Sequence, residues 1–268
     1  MNSSTFPITG AINLVGRVGH GSFRVEARDG IDEATVTVEP RGDAAMAERA
    51  TVELRGSTLL VSLPRQGGVF DLPIFGNRAR DAVDIVAVVP TGTPVKISTF
   101  TAEITTTGRL GAADLASGVA TIDVEAIDGD LRLRFGSGKA DVGFVRGAVQ
   151  SRAGSGTVHF GEVGGALVSV CGSGDITVDT ARGPVRTRAG SGDAALGSVF
   201  DDVNFVSGSG SVTIGLPAGR SAQLDVTTGS GRVESDLPVE AKSTSTQRPL
   251  RLRIRTGSGD IKLVRAAA

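Results

Sequence analysis

The 268-residue chain is long enough for one large all-β or repeat domain, or for two small domains, and it can bury a sizeable core. It has 38 glycines, about twice the usual share, no Trp, no Tyr, and a formal net charge of −1. The lack of Trp and Tyr disfavours sites that hold sugars or single-stranded nucleic acid on aromatic side chains. The net charge disfavours non-specific attraction to nucleic acid or to an anionic membrane. The single cysteine, Cys171, excludes an internal disulfide framework and a multi-cysteine zinc site.

The amino-terminal sequence lacks the marks of export. Residues 1–19 carry neither a basic leader nor an apolar core of the length that secretory signals need. The longest aliphatic run, residues 85–89, is too short to cross a bilayer. We therefore expect a cytoplasmic protein without membrane insertion.

Residues 1–81 are predicted to form divergent amino-terminal coils and a cap. The tripeptide that begins at Gly19, followed by Phe23 and Val25, matches the turn and strand of the later repeats. Residues 43–49 are expected to form one or two helical turns, and residues 64–81 a long loop. Further strands are predicted from alternating apolar residues: Val36 and Val38, Val52 and Leu54, and Leu59, Val61 and Leu63.

Residues 82–268 are predicted to form one continuous, regular β-solenoid with 18-residue coils. Apolar residues alternate within each repeat, which is the period of a strand, and they recur in columns such as Val142, Phe160 and Val178. A single coil buries too little to fold alone, so the coils must stack. Loops are expected at residues 216–219 and 239–248. Gly-Ser-Gly begins at Gly136, Gly154, Gly172, Gly190, Gly208, Gly229 and Gly257, at intervals of 18, 18, 18, 18, 21 and 28 residues.

Two sequence features resemble a known family. They are the apolar run at residues 83–95 and the repeats of the form Gly-Ser-Gly-Asp-Ile at residues 172–178 and 257–263. Both are similar to the bacterial domain-of-unknown-function family labelled "putative adhesin". The resemblance extends over residues 19–264 and implies a right-handed, single-chain β-solenoid with no assigned catalytic residues. It carries over no functional residue.

Residues predicted to point outward bear opposite charges on two faces. The basic set is interrupted by Val168 and Val170, which either separate like charges or mark an apolar contact. The basic face is a candidate interaction surface, while the simpler alternative is a solvated face that keeps strands soluble. The acidic set is Asp123, Glu125, Asp141, Asp175, Asp179 and Asp193. The basic set is Arg132, Arg134, Arg152, Arg186, Arg188, Arg253 and Arg255.

Other candidate sites are weaker. Asp175 and Asp193 should lie one coil apart, near the separation used by retaining glycosidases, although Asp after Gly-Ser-Gly also suits a turn. His20 and His159 fall in different coils, which disfavours a metal site. Cys171 falls in an inward column of small residues and is expected to be a buried, inert thiol. Gly-Ser-Gly lacks the Lys and the following helix of a phosphate-binding loop.

We therefore predict no catalytic, cofactor or metal site. The leading hypothesis is a non-enzymatic, adhesin-like scaffold that presents its surfaces to an unknown protein partner or to copies of itself, including end-to-end assembly. Nucleic acid is not an expected partner. The alternatives are a carbohydrate-active β-helix enzyme, acting through carboxylates such as Asp175 and Asp193, and an exported envelope adhesin.

Overall fold

The computed structural model describes residues 2–42, 49–63, 82–237 and 248–266. These residues form twenty β-strands and no helix, which confirms the all-β prediction. The chain divides into two compact units, Met1–Gly129 and Asp130–Ala268. The expected helical turns at residues 43–49 (all but the last residue) and the loop at residues 64–81 lie outside the described residues, and the domain boundary at residue 81 stays a prediction.

The first unit is a stack of parallel strands with antiparallel strands on one side. The 16-residue strand β2 pairs along its first part with β5 and along its second part with β6, and its other edge pairs with β7, which pairs in turn with β8. Strands β1, β3 and β4 add antiparallel pairs to the β5 and β6 side. The strands are β1 (Asn2–Pro7), β2 (Asn13–Arg28), β3 (Glu33–Pro40), β4 (Thr51–Arg55), β5 (Thr58–Ser62), β6 (Ala82–Pro90), β7 (Val95–Leu110) and β8 (Ala113–Ile127).

The second unit consists of stacked coils in which every strand pairing is parallel. Val142 pairs with Phe160, and Phe160 with Val178, so the 18-residue register is confirmed. The strands are β9 (Leu131–Val145), β10 (Val149–Val163), β11 (Leu167–Ser173), β12 (Ile176–Ala181), β13 (Val185–Ser191), β14 (Ala194–Val199), β15 (Val203–Ser209), β16 (Val212–Leu216), β17 (Ala222–Ser230), β18 (Val233–Ser235), β19 (Leu250–Ser258) and β20 (Ile261–Arg265). The handedness implied by the family resemblance stays a prediction.

The apolar columns form the core of the second unit. Val142, Phe160 and Val178 are each at most 1% exposed. Because side chains alternate between the two sides of a strand, the residues between the buried ones point to solvent. A second buried column runs through Leu131, Val149, Leu167, Val185 and Val203.

A column of glycines forms one corner of these coils. Gly174, Gly192, Gly210 and Gly259 all have φ between 122° and 141°, a region that side-chain-bearing residues rarely adopt. Each also lies against the backbone of the adjacent coil: a Cβ on Gly192 would lie 2.3 Å from the carbonyl oxygen of Gly174. Glycine therefore recurs as the third residue of Gly-Ser-Gly for two reasons, one conformational and one steric.

The last two coils are not stacked in chain order. Leu252 on β19 pairs with Val203 on β15 and, on its other side, with Leu224 on β17. The expectation that successive coils lie directly on one another is therefore wrong at this point. The cause is apolar burial: an inner coil is covered on both sides, and β19 brings Leu250, Leu252 and Ile254 to the core, whereas Leu224 in the outer coil remains 41% exposed.

The predicted loop at residues 216–219 is present, with the backbone N–H of Arg220 donating to the carbonyl oxygen of Pro217. The predicted loop at residues 239–248 lies outside the described residues except for Arg248, which forms ion pairs with Asp201 and Asp202.

Candidate functional site

The structure places all seven predicted arginines on one face of the second unit. We call this surface the arginine face, and define it by the outward side chains of β9, β10, β11, β13, β15 and β19. Each arginine flanks a buried residue of its own strand, so strand alternation turns it outward. All seven are exposed: Arg132, Arg134, Arg152, Arg186, Arg188, Arg253 and Arg255.

The register of the strands sets the order of side chains across this face. Each strand contributes two or more outward residues, and from β10 onward long, arginine-bearing rows alternate with short rows that carry no arginine. From β9 to β19 the rows are Arg132 and Arg134, Gln150 and Arg152, Val168 and Val170, Arg186 and Arg188, Asn204 and Val206, and Arg253 and Arg255.

The short rows create grooves between the arginines. A groove of about 330 Å³ lies around Arg186 and Arg188 and is lined by Val168, Val170 and Val206. These three valines are 40–43% exposed, so the groove presents apolar surface to solvent. The arginine face therefore combines cationic side chains with an apolar floor.

A second hollow, of about 530 Å³, adjoins the first and shares Arg186 and Asn204 with it. One of its corners is fixed by Asp202, whose Oδ1 atom accepts the backbone N–H of Arg251 at 2.9 Å and lies 2.7 Å from the guanidinium of Arg248. Burial raises the pKa of Asp202, but these hydrogen bonds outweigh burial, so the net pKa lies below its usual value.

The arginines differ in whether a carboxylate already neutralises them. The Oδ2 atom of Asp225, on β17, lies 2.9 Å from Arg253 and 3.9 Å from Arg255. Within the described part of the chain, Arg186 and Arg188 form no ion pair. The middle row of the face therefore keeps its positive charge uncompensated.

The predicted acidic face is different, because its carboxylates in the second unit already have partners. His159 bridges Asp141 on β9 and Asp179 on β12, through Nδ1 at 3.0 Å and Nε2 at 3.1 Å. Lys139 lies 3.6 Å from Asp141. In the first unit, Glu125 accepts the backbone N–H of Gly108 at 2.9 Å.

Asp175 and Asp193 lie one coil apart, as expected, but each carboxylate holds the backbone of its neighbour. The Oδ1 atom of Asp175 accepts the N–H of Asp193 at 2.9 Å, and the Oδ1 atom of Asp193 accepts the N–H of Ser211 at 2.7 Å. Asp260 binds the N–H of Arg232 in the same way. These hydrogen bonds tie the corners of neighbouring coils together.

The remaining candidates occupy separate places. The ring of His20 packs edge-on against Phe100, at 5.7 Å between centroids. Cys171 is 2% exposed, and burial raises the pKa of its thiol, so the predicted buried thiol is confirmed. Across residues 2–42, 49–63, 82–237 and 248–266, no group of three His, Cys, Asp or Glu side chains is placed to hold a metal ion.

The described residues also contain no helix that is long and apolar enough to pass through a bilayer.

This chain is similar to several solved structures. A "putative lipid binding protein" from Parabacteroides distasonis is 14% identical, with a TM-score of 0.52, over 97% of this chain and 96% of that one. A "putative adhesin" from Bacteroides fragilis is 14% identical, with a TM-score of 0.45, over 98% and 96%. A "putative adhesin" from Parabacteroides merdae is 10% identical, with a TM-score of 0.43, over 97% and 95%. No curated protein matches the chain.

A family model described as Toastrack DUF4097 matches residues 21–265, which is most of the sequence and includes both units. The match agrees with the expected resemblance to a domain-of-unknown-function family with a β-solenoid fold. The chain therefore belongs to the Toastrack DUF4097 family.

Proposed function

We propose that the second unit is a non-enzymatic binding module whose arginine face docks an anionic macromolecule. The observation that carries the proposal is the middle row of that face. Arg186 and Arg188 have no carboxylate partner among the described residues, and exposed valines lie beside them. In a chain with a net charge of −1, this concentration of positive charge is local. Such a patch attracts and orients a partner of opposite charge.

The acidic residues of the second unit already have partners, and this favours binding of a different molecule over face-to-face packing of a second copy. A complementary acidic face on another copy would need free carboxylates. In the second unit, Asp141 and Asp179 are held by His159, while Asp175 and Asp193 bind backbone N–H groups. The same hydrogen bonds weigh against the alternative of a carbohydrate-active enzyme, because the carboxylates that would catalyse the reaction support the coil corner.

One observation favours end-to-end self-association as a second candidate function. Among the described strands, β17 pairs only with β19, and no described strand pairs with its other edge. Leu224 and Val233 continue the inward columns of β19 and β20 but are 41% and 51% exposed. Exposed strand edges of this kind template pairing with further chains. Light scattering that shows a monomer at all concentrations would contradict this candidate.

The structural neighbours named as adhesins or as a lipid-binding protein are consistent with a binding role in general terms. We propose a cytoplasmic location for the protein. Cell fractionation combined with protease treatment of intact cells separates this location from that of an envelope adhesin, which the protease would reach.

The proposed function is tested by binding of the full chain to three anionic probes at 0.15 M salt: poly-L-glutamate, polygalacturonate and phosphatidylserine vesicles. We expect binding to at least one probe, with a loss of about tenfold or more in the double variant Arg132→Glu/Arg152→Glu. The matched control is Lys139→Glu/Lys262→Glu, which changes the net charge equally on another face and should lose less than twofold. Failure of the wild-type chain to bind any probe would contradict the proposal.

A further inference from the structure

We infer that the partner of the arginine face is an extended acidic polypeptide segment, with carboxylates at alternate positions, lying along Arg186 and Arg188. This inference rests on the proposed function and names the chemistry of its partner. The segment would run alongside β13, over Val168 and Val170, which line the groove beside these arginines.

The spacing of the two arginines favours an extended chain. Arg186 and Arg188 are two residues apart on one strand, which places them about 7 Å apart. Alternate side chains of an extended peptide have the same separation and point to the same side. Two carboxylates at positions i and i+2 can therefore each meet one guanidinium, whose planar fork binds a carboxylate through two hydrogen bonds.

The width of the groove also favours an extended chain over a helix. The row of Val168 and Val170 is a single strand wide, with Arg152 on one side and Arg186 and Arg188 on the other. The cationic rows are therefore about 10 Å apart between backbones. Because the arginine side chains narrow this space further, a helix of about 10–12 Å diameter would rest on their tips, whereas one extended chain can enter.

The valines contribute in two ways. An extended peptide covers exposed apolar surface of Val168 and Val170, which removes it from water. Covering these side chains also excludes water from around Arg186 and Arg188, and the ion pairs strengthen as the local dielectric falls.

Other polyanions fit the arginine face less well than an extended acidic peptide does. A lipid bilayer is broad and would touch the arginine tips without reaching the valines between them. A single-stranded nucleic acid gains much of its affinity by stacking bases on aromatic rings, and the chain has neither Trp nor Tyr. An acidic polysaccharide likewise lacks an aromatic platform on which to stack its sugar rings.

The test measures fluorescence anisotropy of two labelled ten-residue peptides with the full-length protein at 0.15 M salt. One peptide alternates Glu and Thr, and the other has the same composition in the order Glu-Glu-Thr-Thr-Glu-Glu-Thr-Thr-Glu-Thr, in which no two Glu are two residues apart. We expect the alternating peptide to bind at least tenfold more tightly. The variant Arg186→Glu/Arg188→Glu should lose about tenfold or more, and Val168→Ser/Val170→Ser about threefold. The control Lys139→Glu/Lys262→Glu should stay within twofold.

Equal affinity for the two peptides, or full affinity in Arg186→Glu/Arg188→Glu, would overturn the inference. Tighter binding to phosphatidylserine vesicles or polygalacturonate than to the alternating peptide would overturn it as well. In these cases the proposed function survives if Arg132→Glu/Arg152→Glu still weakens binding to an anionic probe. Absence of binding to every probe and to both peptides would overturn both.

Discussion

The Nδ1 atom of His159 on β10 lies 3.0 Å from the Oδ1 atom of Asp141 on the adjacent strand β9. This hydrogen bond raises the pKa of His159 above its ordinary value of 6.5; partial burial opposes the rise and a second hydrogen bond, to Asp179, adds to it. Because the folded state holds the proton more tightly than the unfolded state, the interaction stabilises the fold fully below about pH 6. The stabilisation fades as the pH rises through the raised pKa.

We therefore expect His159→Gln to lower the free energy of unfolding by about 1 kcal/mol at pH 5.5 and by much less at pH 9, since partly exposed ion pairs contribute about 0.2–1 kcal/mol. Urea unfolding of both proteins at the two pH values measures the effect. An equal loss of unfolding free energy at the two pH values would show that the protonated ring of His159 does not stabilise the stacked coils.

Asp193 is expected to act as a structural residue of the coil corner. Its Oδ1 atom accepts the backbone N–H of Ser211 at 2.7 Å. Asp193→Ala removes the acceptor and should cost about 1 kcal/mol of unfolding free energy, whereas Asp193→Asn keeps a side-chain oxygen and should cost less. Thermal unfolding of the two variants checks the order. A larger loss for Asn than for Ala would contradict the hydrogen-bonding role.

The glycine column predicts a strong difference between two Gly→Ala substitutions. Gly192 has φ of 122°, and an added Cβ would lie 2.3 Å from the carbonyl oxygen of Gly174. Gly219 has φ of 76° but nothing within 4 Å of an added Cβ. We expect about 1 kcal/mol of destabilisation at Gly219, from conformation alone, and about 3 kcal/mol or more at Gly192. Urea midpoints compare the two, and similar losses would refute the steric contribution of coil stacking.

Much of the fold could be predicted because the repeat encodes it locally. The alternation that brings Val142, Phe160 and Val178 to the core is visible in the sequence, and a constant 18-residue interval fixes which residues pair. The same alternation predicts that the arginines point outward. The seven arginines of the face were therefore identifiable from sequence periodicity.

The order of the last coils could not be predicted in this way. Periodicity shows that β17 and β19 each fit the same columns, but not which of them lies against β15. The greater apolar content of Leu250, Leu252 and Ile254 was the available signal, and it requires comparing coils with one another. In the first unit, β2 similarly lies between β7 and the β5 and β6 pair, although it precedes β5 in sequence.

The repeat pattern also does not reveal which residue each charged side chain contacts. The bridge from His159 to Asp179 joins different positions of the repeat, so column alignment does not reveal it. The backbone hydrogen bonds of Asp175 and Asp193 have a visible signal, an Asp directly after Gly-Ser-Gly. That signal indicates a turn but does not specify that the carboxylate binds the following coil.

The arrangement of the arginine face depends on the coil order, because Arg253 and Arg255 join it only if β19 lies beside β15. Val206 pairs in register with Arg255, and Arg255 pairs with Thr227 on β17. Adjacent parallel positions fall within the Cα separation that a disulfide allows, whereas Val206 and Thr227 are about 10 Å apart.

The most direct test of this coil order is oxidation of two cysteine pairs in a Cys171→Ala background, followed by peptide mass spectrometry. The pair Val206→Cys/Arg255→Cys should form a disulfide, and the pair Val206→Cys/Thr227→Cys should remain reduced. A disulfide in the second pair but not in the first would place β17 beside β15 and contradict the structure of the face.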